Sequence, residues 1–331
     1  MTQVSRNNPV EVSPRGAPIK RIGFETPARD VMAGCSRWEI PVLDHGFIAL
    51  VDVMPRLVPD GQTADAAIVQ AARVSYGQGT KQVSEDRALI RYLLRHRHTT
   101  PFEMVELKFH VAMPIFIARQ WIRHRTANVN EYSARYSIVP DRFYKPTLDQ
   151  VRKQSSSNRQ GGAERFVVGR DPGIEGSRDQ AGDAAAGEQR TAEEFLHYVD
   201  DAAAMYERYT KLTQAGVSRE MARMALPVNV YTEWYWKCDL HNTLRFLSLR
   251  MDAHAQEEIQ AYARAMHALM EPLLPITMEA FRDYELDSLR LTRLEIEALR
   301  SRAAGGPLAL DSSNKREIAE WEEKRKTLGM G

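Results

Sequence analysis

The stretch MVELKFHVAMPIFIARQWIRHR, residues 104–125, contains the two elements that decide the fold. Apolar residues occupy every second position at its start, namely Val105, Leu107, Phe109 and Val111. A period of two places these side chains on one face of a β-strand, which we predict at residues 104–112. Pro114 suits the first position of a helix, so residues 114–124 are predicted to form a helix that leaves the strand directly.

The segments on either side of this stretch predict an α+β protein. Upstream, a short apolar run at residues 47–53 is typical of a buried strand. Helical spacing of apolar residues predicts six further helices, at residues 65–76, 84–96 (with Ser84 as N-cap), 192–215, 219–225, 239–251 and 253–271. We therefore expect an antiparallel sheet packed by helices, with a helix-rich C-terminal half.

The chain divides into three predicted parts. Residues 1–45 form a polar arm that we expect to be extended, residues 46–290 a single domain, and residues 291–331 a charged tail. Within the domain, residues 154–189 are rich in Gly, Ser, Asp and Ala without a sustained apolar period. Such composition is typical of a long surface insertion.

Composition limits the class of protein. Of the 331 residues 43% are apolar, enough for a sizeable core, and 45 basic against 44 acidic residues leave a formal charge of +1. A balanced chain has no global field to gather nucleic acid or an anionic membrane, so neither is expected as a partner. No apolar run reaches the roughly 20 residues of a membrane span, and the start lacks a secretion signal, so we predict a cytoplasmic location.

Cysteine and histidine spacing gives no metal site. The two cysteines, Cys35 and Cys238, are far apart and outside any C-x-x-C spacing, which argues against a disulfide framework or structural zinc. His254 and Glu257 stand three residues apart on a predicted helix, but one such pair without partners does not hold a metal. We therefore predict no metal, and the spacing marks neither cysteine as a nucleophile.

Polar side chains converge at the end of the predicted helix 114–124. Gln120, Arg123 and His124 stand at i, i+3 and i+4, which would place them on one helical face. The loop predicted to follow adds more polar groups: Arg125, Asn128, Asn130, Glu131, Ser133 and Arg135. Arginine forks match phosphate oxygens two at a time, so the region is a candidate site for a phosphate or a pyrimidine. The alternative is a solvated basic helix end followed by a turn.

A longer pattern covers the same residues. Residues 123–136 read RHRTANVNEYSARY and follow the pattern R-H-R-x-x-S-x-N-E-x-S-x-R-Y at every specified position except Asn128, which replaces a serine. Shorter matching blocks are AARVS at 71–75, HTTPFE at 98–103, RMALP at 223–227, FLSLR at 246–250 and HAQ at 254–256. On these motifs the chain resembles the flavin-dependent thymidylate synthases over residues 51–284.

The resemblance implies an activity and its reactants. The implied reaction is reductive methylation of dUMP to dTMP in dTTP biosynthesis, with 5,10-methylenetetrahydrofolate as carbon donor. FAD, reduced by NADPH, would carry the hydride. The resemblance also implies the fold of that family, catalysis in the domain of residues 46–290, and a homotetramer whose active sites are built between subunits.

The resemblance also assigns residues to the ligands. Arg250 is the implied catalytic residue, because a guanidinium stabilises negative charge on the uracil ring. The implied dUMP contacts are Gln120, Trp121, Ile122, Arg123, Glu131, Tyr132, Ser133, Ala134, Arg135, Arg223 and Arg250. The implied FAD contacts are Thr100, Arg123, His124, Arg125, Glu131, Asp239, His241 and Arg245. Two of these residues have structural alternatives, since Asp239 is equally an N-cap and Arg250 an ordinary surface arginine.

Three other chemistries are alternatives at this point. A conventional thymidylate synthase attacks uracil with a cysteine, for which Cys35 and Cys238 are the candidates. Ser133 is a conceivable nucleophile, although no histidine or aspartate stands near it in sequence to activate the hydroxyl. A nucleic-acid-binding module would use the Arg/His segment, but the near-zero net charge argues against broad phosphate contact.

Overall fold

The computed structural model describes five ranges of the chain: residues 38–56, 62–75, 86–155, 161–168 and 180–330. Most of the predicted N-terminal arm, Cys35 and the Ser84 N-cap lie outside the described residues. The chain falls into two compact units, Met1–Ala280 and Phe281–Gly331. Every candidate site residue belongs to the first.

The strands confirm the predicted antiparallel sheet. Within the described ranges they are β1 (Trp38–Val42), β2 (Gly46–Met54), β3 (Glu106–Pro114), β4 (Asn128–Glu131), β5 (Arg152–Gln154), β6 (Gly162–Arg165) and β7 (Tyr231–Asp239). Five of them form one sheet in the order β1-β2-β3-β7-β4, in which every neighbouring pair is antiparallel. The remaining two, β5 and β6, pair as a separate hairpin.

Helices complete the α+β architecture. They are α1 (Asp65–Val74), α2 (Asp86–Arg95), α3 (Thr100–Glu103), α4 (Ile115–Trp121), α5 (Gln180–Gln214), α6 (Arg219–Ala222), α7 (Leu240–Arg250), α8 (Glu257–Met270), α9 (Pro275–Phe281), α10 (Arg293–Ala303) and α11 (Lys315–Thr327). The helix predicted at 239–251 is confirmed to within one residue at each end, and the one predicted at 84–96 is confirmed from Asp86, the first residue described there, to Arg95. The one predicted at 253–271 begins later, at Glu257, because residues 252–256 form a turn. In the part of the chain described here, no helix has the length and apolarity to span a bilayer.

β7 alternates in burial along most of its length, and β3 does so over its first four residues before becoming buried on both faces. Leu107, Phe109 and Val111 of β3 are fully buried, as their period of two predicts. Sequence analysis missed β7, although Trp234 and Trp236 alternate with more exposed residues in the same way. Phe109 and Trp236 are opposite each other in the ladder, and their ring centroids lie 6.2 Å apart. These side chains form the face of the sheet on which the helices pack.

The predicted strand 104–112 and helix 114–124 are confirmed, with ends that differ from the observed ones by one to three residues. β3 continues to Pro114, which is extended at φ −61° and ψ 146° and caps α4 rather than opening it. α4 ends at Trp121, three residues before the predicted end, and the His124 N–H donates to the Trp121 carbonyl at 2.9 Å in a turn. Arg123 and His124 therefore do not share a helical face with Gln120, and their positions depend on other elements.

The polar segment after α4 is a strand where the sequence predicts a loop. β4 lies at the edge of the sheet, with Asn128 opposite Lys237 and Glu131 opposite Trp234. β3 and β4 are both antiparallel to β7 and so run parallel to each other on either side of it, connected through α4. Backbone pairing with β7 overrides the turn-like composition, because propensity yields to tertiary context in strands.

The predicted insertion at residues 154–189 includes regular secondary structure where the structure describes it. Its first part belongs to the β5–β6 hairpin, and α5 begins at Gln180 and so occupies residues 180–189. Alanine, glutamine and glutamate are frequent at the start of α5 and favour helix without any apolar period. The region is therefore mostly regular secondary structure within the described residues.

An aromatic cluster joins α4, α7 and α8 to the sheet. Trp121 stacks on Phe246 with centroids 4.5 Å apart and meets Trp234, Trp236 and Tyr262 edge-on at 5.8 to 6.1 Å. Stacked and edge-to-face pairs of this kind stabilise beyond the area they bury. The cluster fixes the end of α4, where the candidate site begins.

The second unit contains α10 and α11. Thr292 and Glu295 form a reciprocal capping box at the start of α10, and Asn314 caps α11. Lys324 of α11 donates to both carboxylate oxygens of Glu295, at 2.9 and 3.1 Å. Much of the charged tail is thus regular, capped helix.

Candidate active site

Arg250, the last residue of α7, reaches across to the end of α4. Its Nε donates to His124 Nε2 at 3.1 Å, and one terminal N–H donates to the Gln120 carbonyl oxygen at 3.3 Å. A guanidinium has five N–H donors, so three have no partner among the described residues. Arg250 is also half-buried. Its two contacts hold it in place, unlike an ordinary surface arginine, and its remaining N–H groups are available to a ligand.

The electrostatics around Arg250 agree with this contact. Burial, together with the charges of Arg250 and Arg245, lowers the pKa of His124 from 6.5 to about 4. The ring is therefore neutral at physiological pH and can accept the N–H of Arg250. Burial also lowers the pKa of Arg250, so its charge lacks part of the solvation it would have in water. A partly desolvated cation with free donors favours an anionic ligand.

Stability is expected to fall as the pH drops from about 6.5 to about 4. In this window the unfolded chain protonates His124 and the folded chain does not, so acid favours unfolding. Urea denaturation across this range should show a weaker pH dependence for His124→Gln, whose amide accepts a hydrogen bond without titrating. Replacing the exposed His197 in the same way is the matched control. An unchanged pH dependence in His124→Gln would contradict the assignment.

Six of the predicted dUMP residues lie at the C-terminal end of β4 or beyond it. We call them the Arg135 group: Glu131, Tyr132, Ser133, Ala134, Arg135 and Arg223. Glu131 Oε1 accepts a hydrogen bond from Thr232 Oγ1 at 2.8 Å. Arg135 pairs with Glu220 at 3.3 Å, but both side chains are more than half exposed, and such pairs stabilise little. Arg135 is therefore readily available to another anion.

The Arg135 group is held by the turn that follows β4 and by α6. The Tyr132 hydroxyl donates to the Ile138 carbonyl at 2.6 Å and closes the turn. Arg219 of α6 donates to the Tyr136 carbonyl at 2.7 Å. Arg223 comes directly after α6, so these contacts bring it towards the turn. In the sequence Arg223 follows Arg135 by 88 residues.

Except for Glu131, which ends β4, the predicted flavin residues lie on α7 or on segments that contact its start. Leu240 N–H donates to the Val105 carbonyl at 2.8 Å, which brings α3 and its exposed first residue, Thr100, to this end of the sheet. Cys238 Sγ donates to the Thr126 carbonyl at 3.2 Å, which brings the Arg123–Arg125 turn to the same place. His241 and Arg245 lie on α7 itself.

This end of the sheet fits a cofactor with a pyrophosphate. Arg123, Arg125 and Arg245 are exposed, and none of them has an acidic partner among the described residues. Arginine forks and a threonine hydroxyl are suitable donors for phosphate oxygens. Asp239 caps α7, because its two oxygens accept from the backbone N–H and the side-chain amide of Asn242, both at 2.8 Å. The N-cap interpretation of Asp239 is confirmed.

The predicted dUMP residues fall into two groups at opposite ends of β4. Gln120, Arg123, His124 and Arg250 form what we call the Arg250 group, at the start of β4, and the Arg135 group lies at its end. The three residue steps along β4 span about 10 Å. Among the described residues, no hydrogen bond or ion pair joins the two groups.

Other residues matter that sequence reasoning did not assign. The Gln256 side chain hydrogen-bonds that of Gln120, and Phe246 packs edge-on against the His124 ring at 5.0 Å. Phe246 and Gln256 lie in the motif blocks at 246–250 and 254–256, so the sequence contained a signal that could have identified them. Burial raises the pKa of Cys238 to about 12, so this thiol is a poor nucleophile. The described residues contain no group of three or more side chains arranged to hold a metal ion.

Comparison with known proteins gives matches over most of the chain. Residues 56–276 match the family described as thymidylate synthase complementing protein. The chain is 57% identical over 310 residues to a flavin-dependent thymidylate synthase of Dictyostelium discoideum, covering 94% of each sequence. The chain belongs to the flavin-dependent thymidylate synthase family. It is therefore a flavin-dependent methyltransferase, as the motif at residues 123–136 indicated.

Further relatives of this flavin-dependent thymidylate synthase extend the comparison. The Wolbachia pipientis wMel protein of the same description is 49% identical over 285 residues, covering 85% of this chain and 90% of the relative. A structure of the UMP/dUMP methylase PolB from Streptomyces cacaoi bound with 5-Br dUMP aligns with a TM-score of 0.56 at 31% identity. That alignment covers 74% of this chain and 98% of the methylase.

Proposed function

We propose that this enzyme makes dTMP by reductive methylation of dUMP. The carbon comes from 5,10-methylenetetrahydrofolate, and FAD reduced by NADPH carries the hydride. Family membership and the nucleotide-bound methylase support this reaction. The observation that carries the proposal for this chain is Arg250, held by His124 and Gln120 with three N–H donors to spare. The cysteine spacing and composition suit a cytoplasmic enzyme.

Arg250 has the main electrostatic role in the proposal. The uracil ring must gain electron density before its C5 attacks the carbon donor, and a guanidinium against the ring stabilises that charge. Because Arg250 is already fixed by two contacts, little reorganisation is needed when the charge develops. Gln120 lies beside it and offers an amide to the polar edge of the pyrimidine.

The arginines divide between the two ligands. In our proposal Arg135 and Arg223 hold the nucleotide phosphate. The Glu131 carboxylate accepts a hydrogen bond from the substrate, and the Ser133 hydroxyl donates one to it. Ile122, Tyr132 and Ala134 contribute through their backbone or their position in the turn. The Trp121 side chain is fully buried in the aromatic cluster, so any dUMP contact there comes from its backbone.

FAD is proposed to bind at the start of α7. When bound, it supplies the hydride that completes the methyl group. Thr100, Arg123, Arg125 and Arg245 hold its pyrophosphate, with His124 and His241 nearby and Glu131 at the other end of β4. Asp239 acts by fixing the first turn of α7, since both of its oxygens are already engaged.

We further propose a homotetramer in which two chains complete each active site. The Arg250 group and the Arg135 group lie at opposite ends of β4, and in our proposal the Arg135 group of one chain faces the Arg250 group of another. Large apolar side chains around the Arg135 group are exposed and suit a subunit contact: Tyr136 at 77%, Ile138 at 48%, Met221 at 62%, Met224 at 78% and Val228 at 60%. Apolar side chains clustered in this way usually mark an interface.

Absorbance spectroscopy tests the reaction. Purified protein with FAD should show oxidised-flavin bands that bleach with NADPH under anaerobic conditions. The bands should return as dTMP forms on addition of dUMP and methylenetetrahydrofolate. A double Cys35→Ala, Cys238→Ala variant should remain active, because no cysteine attacks the ring. Protein that binds FAD but never forms dTMP would overturn the proposed reaction.

Subunit complementation tests the shared site. Arg250→Ala and Arg135→Ala should each be nearly inactive alone. In mixed oligomers, random assembly gives about a quarter of the sites both native arginines, so activity should reappear. Native mass spectrometry confirms that mixed oligomers have formed. Mixed oligomers without recovered activity would show that each site comes from one chain.

A further inference from the structure

Glu131, the one acidic residue among the proposed dUMP contacts, ends β4. In the ladder it stands opposite Trp234 of β7, so the two side chains lie on the same face of the sheet. Its Oε1 accepts a hydrogen bond at 2.8 Å, whereas Oε2 has no hydrogen bond or ion pair among the described residues. One oxygen of this carboxylate is thus held, and the other is left for a ligand.

The donor to Glu131 is the hydroxyl of Thr232, which stands two residues before Trp234 on β7. Alternate residues of a strand share a face, so Thr232 and Glu131 are diagonal neighbours across the β4–β7 pair. Thr232 is only 7% exposed, and a threonine in a strand has few allowed rotamers. A buried, stiff donor on a central strand therefore holds a carboxylate that is itself exposed.

Packing alone does not account for a hydroxyl at position 232. Valine has nearly the same shape as threonine, suits a buried strand position equally well and needs no hydrogen-bond partner. A buried hydroxyl, in contrast, has to find a partner, and within the part of the chain that the structure describes Thr232 Oγ1 donates to Glu131 alone. The hydroxyl thus points to a function that involves Glu131.

We infer that Thr232 is a positioning residue for the methylation of dUMP. Its hydroxyl orients the Glu131 carboxylate so that Oε2 accepts a hydrogen bond from the nucleotide. A glutamate side chain has three rotatable bonds, and ordering them on binding costs affinity. The bond from Thr232 meets part of that cost before the substrate arrives. The inference rests on the proposed contact between Glu131 and dUMP.

Isothermal titration calorimetry of the full-length, FAD-loaded enzyme with dUMP tests the inference. Thr232→Val removes the hydroxyl and should weaken dUMP binding about tenfold, the effect of roughly one hydrogen bond. Thr232→Ala also lacks the hydroxyl and should behave in the same way, whereas Thr232→Ser keeps it and should retain most of the affinity. In steady-state turnover, Thr232→Val should raise KM for dUMP more than it lowers kcat.

A double-mutant cycle shows whether Thr232 acts through Glu131. Glu131→Ala should weaken dUMP binding, and adding Thr232→Val should then change the affinity little further. Thr277→Val is the matched control, because Thr277 is also buried and its hydroxyl donates to a carboxylate oxygen of Asp65 at 2.5 Å, but neither residue is assigned to a ligand. It should leave dUMP affinity unchanged, and thermal unfolding should show that each variant is folded.

The outcomes separate this inference from the proposed function. Normal dUMP affinity in folded Thr232→Val or Thr232→Ala, with weakened binding by Glu131→Ala, would overturn the inference and leave the proposed function standing. A full further tenfold loss on adding Thr232→Val to Glu131→Ala would overturn it as well, since the threonine would then act independently. If Glu131→Ala bound dUMP normally, the proposed contact between Glu131 and dUMP would fail, and the inference with it.

Discussion

Replacing Arg250 by alanine is expected to lower kcat for dTMP formation by about two to three orders of magnitude at saturating dUMP. Removal of one preorganised donor from a developing negative charge costs about this much in other enzymes. Arg250 fits that role because His124 and Gln120 already fix its guanidinium. Steady-state formation of dTMP, with FAD, NADPH and the folate in excess, measures the loss.

Two variants separate the charge of Arg250 from its shape. Arg250→Lys keeps the charge but cannot form the same fork, so it should recover only part of the activity. Leu249→Ala, at a 51% exposed neighbour on α7, should have near-normal activity. Flavin absorbance reports whether each variant still binds the cofactor. Normal turnover by folded Arg250→Ala would remove this residue from the reaction.

Replacing Trp121 by alanine is expected to lower the free energy of unfolding by about 3–5 kcal/mol. Trp121 is fully buried, stacks on Phe246 at 4.5 Å and joins α4 to the sheet. Its loss leaves a cavity between α4, α7 and β7. Urea denaturation followed by far-ultraviolet circular dichroism measures the change.

Ile122→Ala is the matched control for this prediction. Ile122 is the next residue, but its side chain is 41% exposed, so its truncation should cost much less. Because Trp121 precedes the turn that carries His124, folded Trp121→Ala protein should also have a weaker contact between His124 and Arg250. Equal destabilisation by the two variants would contradict the core role of Trp121.

The central part of the fold could be predicted because its signals are local. The alternation of Leu107, Phe109 and Val111 defines β3 within a few residues, and apolar spacing does the same for α7. The end of α4 could not be read in this way. Apolar residues continue to Ile122, so the sequence gives no signal for the end of the helix. In the structure α4 ends at Trp121, whose side chain packs in the aromatic cluster.

The strand β4 depends on a partner that is distant in sequence. Residues Asn128–Glu131 are polar and turn-like, and they become a strand because β7 lies beside them. The alternation of Trp234 and Trp236 in β7 was readable, but nothing local links that segment to β4. Non-local pairing is therefore the reason that a strand was predicted as a loop.

The candidate site shows the same division between local and non-local information. The pattern at residues 123–136 and the blocks around Arg223 and Arg250 identify the family and name the residues. The pattern says nothing about which of them meet in space. The contact between Arg250 and His124, and the separation of both from Arg135, are set by α7 and β4 and appear only in three dimensions.

The position of β7 between β3 and β4 has a consequence for synthesis in the cell. About 100 residues separate Glu131 from Tyr231, and a ribosome needs about 5–20 s to make that length. During this interval both β3 and β4 have been translated without their common neighbour, and unpaired strand edges are prone to aggregate. The edges of β3 and β4 that later pair with β7 are therefore the part of the nascent chain that we expect to be most prone to aggregate before β7 has left the ribosome.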